Sequence, residues 1–127
     1  MKNLHIYRII ILALLLPLLA SVGCDKSIAP PPVLTAAELP AAIEKAFEKA
    51  SPEAKELASQ VLAAVQAKDY PKAFQNVQTL GGMPSLTKQQ ISVASSALAT
   101  VHTLLQEAQA QGDAKAAQAI QYHRSTK

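Results

Sequence analysis

The sequence predicts an all-α fold of four or five helices, packed as a small irregular bundle around one long central helix. Alanine, the strongest helix former, is abundant after the first 35 residues. Apolar residues in the same region recur at spacings of three and four, the period of a helix that buries one face. Proline, glycine and capping residues divide the region into pieces of helical length. No useful stretch alternates with a period of two, so we expect no strand.

The first 23 residues have the composition of an export signal. Lys2 and Arg8 precede an apolar run that extends from Ile9 to Ala20 and is interrupted only by Pro17. Counted through Val22, the run has about 14 residues, too few to cross a hydrocarbon core of ~30 Å. That length is typical of the apolar part of a cleaved signal peptide. A membrane-spanning helix is the alternative.

Small residues end this run, and a cysteine follows at once. The sequence Ser21-Val22-Gly23-Cys24 resembles the lipobox of bacterial lipoproteins, although Ser21 stands where that family most often has leucine. The resemblance implies cleavage before Cys24 and attachment of membrane lipid to its thiol. Cys24 is the only cysteine, so an internal disulfide is excluded. A secretory signal with an unrelated cysteine is the alternative.

The residue after the cysteine bears on which membrane is involved. In lipoproteins of enteric-type bacteria, an aspartate at the position of Asp25 resembles a signal for retention at the inner membrane. We therefore expect a protein anchored by lipid that faces the periplasm or the outside, and the resemblance favours the inner membrane.

Residues 24–35 are predicted to form a tether, and residues 36–127 a single alanine-rich domain. Three successive prolines, 30–32, favour an extended conformation, so the tether reaches roughly 35 Å. Two of the twelve Lys and Arg residues lie in the signal, and all nine Asp and Glu lie after it. The mature chain is therefore close to neutral. With few aromatic residues and no basic stripe, it is not expected to bind nucleic acid.

Capping residues set the expected helix bounds. Ser51 precedes Pro52 at the start of one helix, and Asp69 begins the next, which ends at Gly81-Gly82. Thr87 with Gln90 forms a capping box, and Gly112 followed by Asp113 separates the last two helices. The predicted helices cover residues 37–50, 52–67, 70–80, 88–111 and 114–122.

The turn between the second and third of these helices resembles that of a tetratricopeptide repeat. Asp69, Tyr70 and Ala73 match the family's pattern, whereas Lys68 stands in place of its loop glycine. Residues 111–117 echo the same turn without the tyrosine. The resemblance covers about residues 54–85 and implies a repeat-like helical hairpin. A repeat array needs about three units, so a generic helical hairpin is the alternative.

Apolar residues cover about half the circumference of the long helix. Such an arc favours a central helix packed by two neighbours, and an oligomeric coiled coil is the alternative. The arc consists of a seam of Ile91, Ala94, Leu98, Val101, Leu105 and Ala108 and a second row of Val93, Ala97, Thr100 and Leu104.

The opposite face of the long helix lacks the lysine and glutamate that exposed helices usually carry. Small, uncharged side chains suit the close approach of another surface, so we interpret this face as a candidate partner-binding site. A plain solvated face is the alternative. The candidate residues are Ser92, Ser95, Ser96, Ala99 and Thr103.

The sequence contains no arrangement typical of catalysis or of metal binding. His102 has no cysteine, aspartate or second histidine three or four residues away, and His123 lies near the end of the chain. We find no nucleophile elbow, phosphate loop or metal-ligand spacing. We therefore expect no enzymatic activity, no cofactor, no metal and no small-molecule substrate.

The function predicted from these observations is that of a membrane-tethered helical protein-interaction module of the bacterial cell envelope, with an envelope protein as partner. The alternative is a structural envelope lipoprotein that self-associates or is attached to the wall. Wall attachment is suggested by Lys127, because a lipidated chain that ends in lysine resembles the murein lipoprotein. An enzyme or small-ligand carrier is a third hypothesis, which would require a cavity lined by convergent polar groups.

Overall fold

A computed structural model of the protein describes residues 33–126, and these residues form five helices and no strand. The predicted all-α class is therefore confirmed. The predicted signal and most of the tether, including Cys24 and Asp25, lie outside the described residues. The helices are α1 (Leu39–Phe47), α2 (Pro52–Gln66), α3 (Tyr70–Gly81), α4 (Lys88–Ala110) and α5 (Ala114–Ser125).

The helices begin where the capping residues predicted. Ser51 Oγ accepts a hydrogen bond from the Ala54 N–H at 3.3 Å. The capping box of α4 is complete, because the Gln90 N–H donates to Thr87 Oγ1 at 3.3 Å and the Thr87 N–H donates to Gln90 Oε1 at 2.9 Å. Asp113 accepts from the first turn of α5. These local bonds satisfy N–H groups that would otherwise lack partners at the helix start.

The first helix is shorter than predicted at both ends, because a separate turn leads into it and another, in which the Ala50 N–H donates to the Phe47 carbonyl at 3.0 Å, follows it. The Thr35 N–H and hydroxyl donate to Glu38 Oε2 at 2.9 and 2.7 Å, and the Glu38 N–H donates to Thr35 Oγ1 at 3.3 Å. These side-chain and backbone hydrogen bonds from Thr35 lower the pKa of Glu38 below its ordinary value. Their stabilisation is complete above the ordinary pKa and is lost as the pH falls through the lowered one.

The two turns that join α2 to α3 and α4 to α5 have the same geometry. Lys68 (φ +56°) and Gly112 (φ +91°) each occupy the left-handed region. The aspartate N–H that follows each of them donates back into the preceding helix, from Asp69 to the Ala64 carbonyl at 2.9 Å and from Asp113 to the Ala108 carbonyl at 3.0 Å. The two hairpins thus share one Schellman-type turn. Their membership of a repeat family stays a prediction.

The long helix α4 is the centre of the bundle. It packs against α1, α3 and α5, while α2 packs against α1 and α3. Alanines at Ala94 and Ala97 are fully buried, which lets neighbouring helices approach closely. The largest fully buried side chains come from α1 through α4: Leu39, Ile43, Val61, Val77, Leu80, Val101 and Leu105.

Two hydrogen bonds from α4 hold α1 and the segment before it. The Thr100 hydroxyl donates to the Leu34 carbonyl, and Gln90 Nε2 donates to the Ala46 carbonyl at 3.2 Å. Leu34 precedes Ala46 in the chain whereas Thr100 follows Gln90, so α1 runs antiparallel to α4. Contact with the bundle begins at Leu34, two residues before the predicted domain boundary at residue 36.

Replacement of Gln90 by alanine should lower the free energy of unfolding by about 1–3 kcal/mol, because it removes half of the capping box and leaves the Ala46 carbonyl without its donor. The neighbouring Gln89 is exposed, so Gln89→Ala should change stability by less than about 0.5 kcal/mol. Urea denaturation of both variants makes the comparison. Equal losses of unfolding free energy in the two variants would show that Gln90 does not connect α1 to α4.

The shared turn predicts opposite effects of two substitutions. Lys68→Gly should raise the free energy of unfolding by about 0.5–1 kcal/mol, because glycine adopts a positive φ without the steric cost that lysine incurs. Gly112→Ala should lower it by about 1 kcal/mol for the same reason. Thermal melts of the two variants test the turn, with Lys68→Ala as the control that keeps the strain. A stability gain in Lys68→Ala would contradict the explanation.

Candidate functional site

The structure corrects the predicted partner-binding face on α4. Four of its five residues, Ser92, Ser95, Ala99 and Thr103, are exposed. Ser96 is only 2% exposed, so its place in a free surface was predicted wrongly. Its hydroxyl donates to the Ser92 carbonyl at 3.1 Å, within α4 itself.

Ser96 lies on the edge of α4 that α1 and the segment before it cover, between Gln90 and Thr100, which bond to them. Thr100, one turn further on, is also buried, and its hydroxyl bonds both to the Leu34 carbonyl and to the Ser96 carbonyl. Small side chains here let a neighbouring backbone come close. The close approach that the sequence suggested therefore occurs within the chain, on one edge of the predicted face.

The buried face of α4 is rotated toward Ser96 relative to the predicted apolar arc. Residues at the far edge of that predicted arc are therefore more exposed than expected. Ile91 is 46% exposed, so its assignment to the core was wrong, and Leu98 is only half-buried. The rest of the seam, Ala94, Val101, Leu105 and Ala108, is buried as predicted.

The exposed surface of α4 includes a strip of small residues with one exposed isoleucine. Between Lys88 and Glu107 the helix contains no Asp, Glu, Lys or Arg. The Thr103 hydroxyl donates to the Ala99 carbonyl at 3.1 Å, which satisfies its donor within the helix. At 1.5 Å per residue the strip is roughly 18 Å long. We define the α4 strip as Ile91, Ser92, Ser95, Ala99 and Thr103.

A second candidate site joins the two histidines that the sequence left apart. The Phe74 ring lies between them, with its centroid 5.8 Å from that of His102 and 5.2 Å from that of His123, the latter in an edge-to-face arrangement. Such contacts between rings restrict their orientation. Sequence reasoning missed this pair because the three rings belong to α3, α4 and α5, and no local spacing links them.

These rings border a cavity of about 210 Å³ between α3, α4 and α5. Its apolar residues are buried, whereas its polar residues are half-buried or exposed, so it has an apolar floor and a polar rim. No carboxylate lines it. The lining residues are Phe74, His102, Leu105, Gln106, Ile120, His123 and Arg124.

A further cavity, of about 290 Å³, lies between α1 and α2. Ile43, Phe47 and Leu62 supply its apolar side chains, and its charged residues have both signs, Glu44 and Glu48 with Lys55. This mixture favours no particular ligand charge.

Within residues 33–126, no group of three or more His, Cys, Asp or Glu side chains is placed to hold a metal ion. Of the helices described here, none combines the length and the apolar character that a membrane crossing requires. The chain matches no known protein-family model, and neither a curated protein nor a solved structure is significantly similar to it.

Proposed function

We propose that the protein is a membrane-tethered helical interaction module of the bacterial cell envelope. The observation that carries the proposal is the α4 strip, which stays exposed after α1, α3 and α5 have packed against the other side of that helix. Exposed helix faces without charge are unusual, because charged residues favour both helix and solubility. A face of this kind is typical of a surface that another helix covers.

The chemistry of the strip indicates its partner. A charged partner surface would lose hydration on docking and would find no opposite charge in the strip, so an uncharged helix face is favoured. The small side chains of Ser95 and Ala99 allow close approach of the two helices, and the half-exposed Ile91 supplies an apolar contact. The proposed partner is an envelope protein that presents a small-residue helix.

The lipobox-like sequence supports the tethered part of the proposal. Lipid on Cys24 would hold the domain by a tether of about nine residues, roughly 30 Å when extended. The partner would then lie within that distance of the bilayer surface. Asp25 favours the inner membrane.

Substitution of Cys24 by serine should move the protein from the membrane pellet to the soluble fraction. Serine has no thiol to receive the lipid, and the acyl chains supply the stable anchoring. Asp25→Ser is the matched control: it should keep the lipid and the pellet location but shift the protein toward the outer-membrane band of a density gradient. Retention of Cys24→Ser in the pellet, with no fatty acid label on the wild type, would refute the lipid anchor. Wild-type protein in the outer-membrane band would refute the role of Asp25.

The α4 strip predicts that Ala99→Arg abolishes partner docking while the fold is unchanged, since Ala99 is exposed and a long cation prevents close helix approach. A photoreactive residue at position 95 should give a crosslinked product in intact envelopes, and Ala99→Arg should reduce it at least tenfold. Ala63→Arg, the same change at an exposed alanine of α2, should leave it unaffected. Circular dichroism melts of both variants serve as the folding control.

The identity of the crosslinked product decides between the two functions. A product of one copy with a different envelope protein supports the interaction module. A product with twice the mass of the chain, together with a dimer in light scattering, supports self-association through the α4 strip. Undiminished crosslinking in Ala99→Arg contradicts both.

A further inference from the structure

We propose that the cavity between α3, α4 and α5 is a binding site for a small carboxylate with an aromatic or branched apolar body. The cavity and the α4 strip are defined by different residues, so this proposal does not depend on the docking function. It supplies the cavity with convergent polar groups that the small-ligand hypothesis requires.

The floor of the cavity accounts for the apolar body of the ligand. Phe74, Leu105 and Ile120 are buried and come from three different helices, so the floor is part of the packed core and is already formed without a ligand. The cavity volume of about 210 Å³ equals about seven waters at ~30 Å³ each. It is smaller than the usual drug-sized pocket, and a ligand the size of a single substituted ring matches it.

The rim accounts for the carboxylate. His102 and Gln106 lie one helical turn apart on α4, and His123 and Arg124 are neighbours on α5. Every side chain of this rim can donate a hydrogen bond, and none is acidic. The guanidinium of Arg124 has the fork geometry that binds a carboxylate through two parallel hydrogen bonds.

These donors are not used within the protein. Among the hydrogen bonds of residues 33–126, none involves the imidazole rings of His102 and His123 or the guanidinium of Arg124. The contacts of both imidazole rings with Phe74 nevertheless restrict their positions. The rim therefore has donors that are placed in advance and available to a ligand.

Other ligands fit the cavity less well. A metal ion requires at least a third protein ligand besides the two histidines, and the lining supplies no Cys, Asp or Glu. A cationic ligand would meet Arg124 with no carboxylate to offset the repulsion. A purely inorganic anion would leave the apolar floor unused.

Benzoate is the probe that tests this proposal. The full chain in neutral detergent micelles is titrated with benzoate, with its neutral analogue benzamide and with inorganic phosphate, and amide and methyl NMR shifts are recorded. We expect saturable shifts at Phe74, Leu105 and Ile120 with benzoate, and at least tenfold weaker binding of benzamide and of phosphate. Equal affinity for benzamide would overturn the recognition of charge, and equal affinity for phosphate would overturn the role of the apolar floor.

Two variants locate the bound ligand. Arg124→Gln should weaken benzoate binding about tenfold, whereas Lys115→Gln, which removes an exposed cation from the same helix but outside this cavity, should leave it unchanged. Gln106→Trp places a large ring at the rim and should abolish binding. Melting temperatures confirm that each variant is folded. Unchanged affinity in Arg124→Gln or in Gln106→Trp would overturn the assignment of the ligand to this cavity.

Discussion

The packing of α1 along α4 is the contact on which the rest of the structure depends. Alanine dominates the central helix, and alanine buries little apolar area. Of the largest fully buried side chains, α4 supplies only Val101 and Leu105, so the others come from neighbouring elements. Helix α1 provides Leu39 and Ile43 together with Phe47, which is 2% exposed. Gln90 and Thr100 hold α1 and the segment before it to α4 at two points about ten residues apart.

This arrangement also determines which surface of α4 remains available. With α1, α3 and α5 in place, the helix has only one free side, and the edge that contains Ser96 is covered. The end of the tether lies near the middle of α4, because the Thr100 hydroxyl donates a hydrogen bond to the Leu34 carbonyl there. In the proposed function the tether thus joins the domain at the helix that binds the partner.

The two candidate sites differ in chemistry because they arise at different places in the bundle. The α4 strip is a convex helix face without charge, which suits a second helix. The cavity forms where α3, α4 and α5 meet, and its rim combines donors from two helices over an apolar floor. A concave site of this kind suits a small ligand, since it surrounds the ligand on several sides. The protein thus presents two chemically distinct surfaces, and α4 contributes residues to both.

The local features of this protein were predictable from its sequence. Caps such as Ser51 and Thr87 act within three residues of their own position, and the prolines and glycines act through their own backbone angles, so the starts of α2 to α5 followed from spacing alone. The burial of Ser96, the exposure of Ile91 and the contacts of His102 and His123 with one ring, that of Phe74, depend on the tertiary structure. The physical reason is distance along the chain: which side of α4 is covered depends on a segment 66 residues away from Thr100. An amphipathic arc of about half the circumference has no sharp edge, so its orientation is set by the neighbours that pack against it.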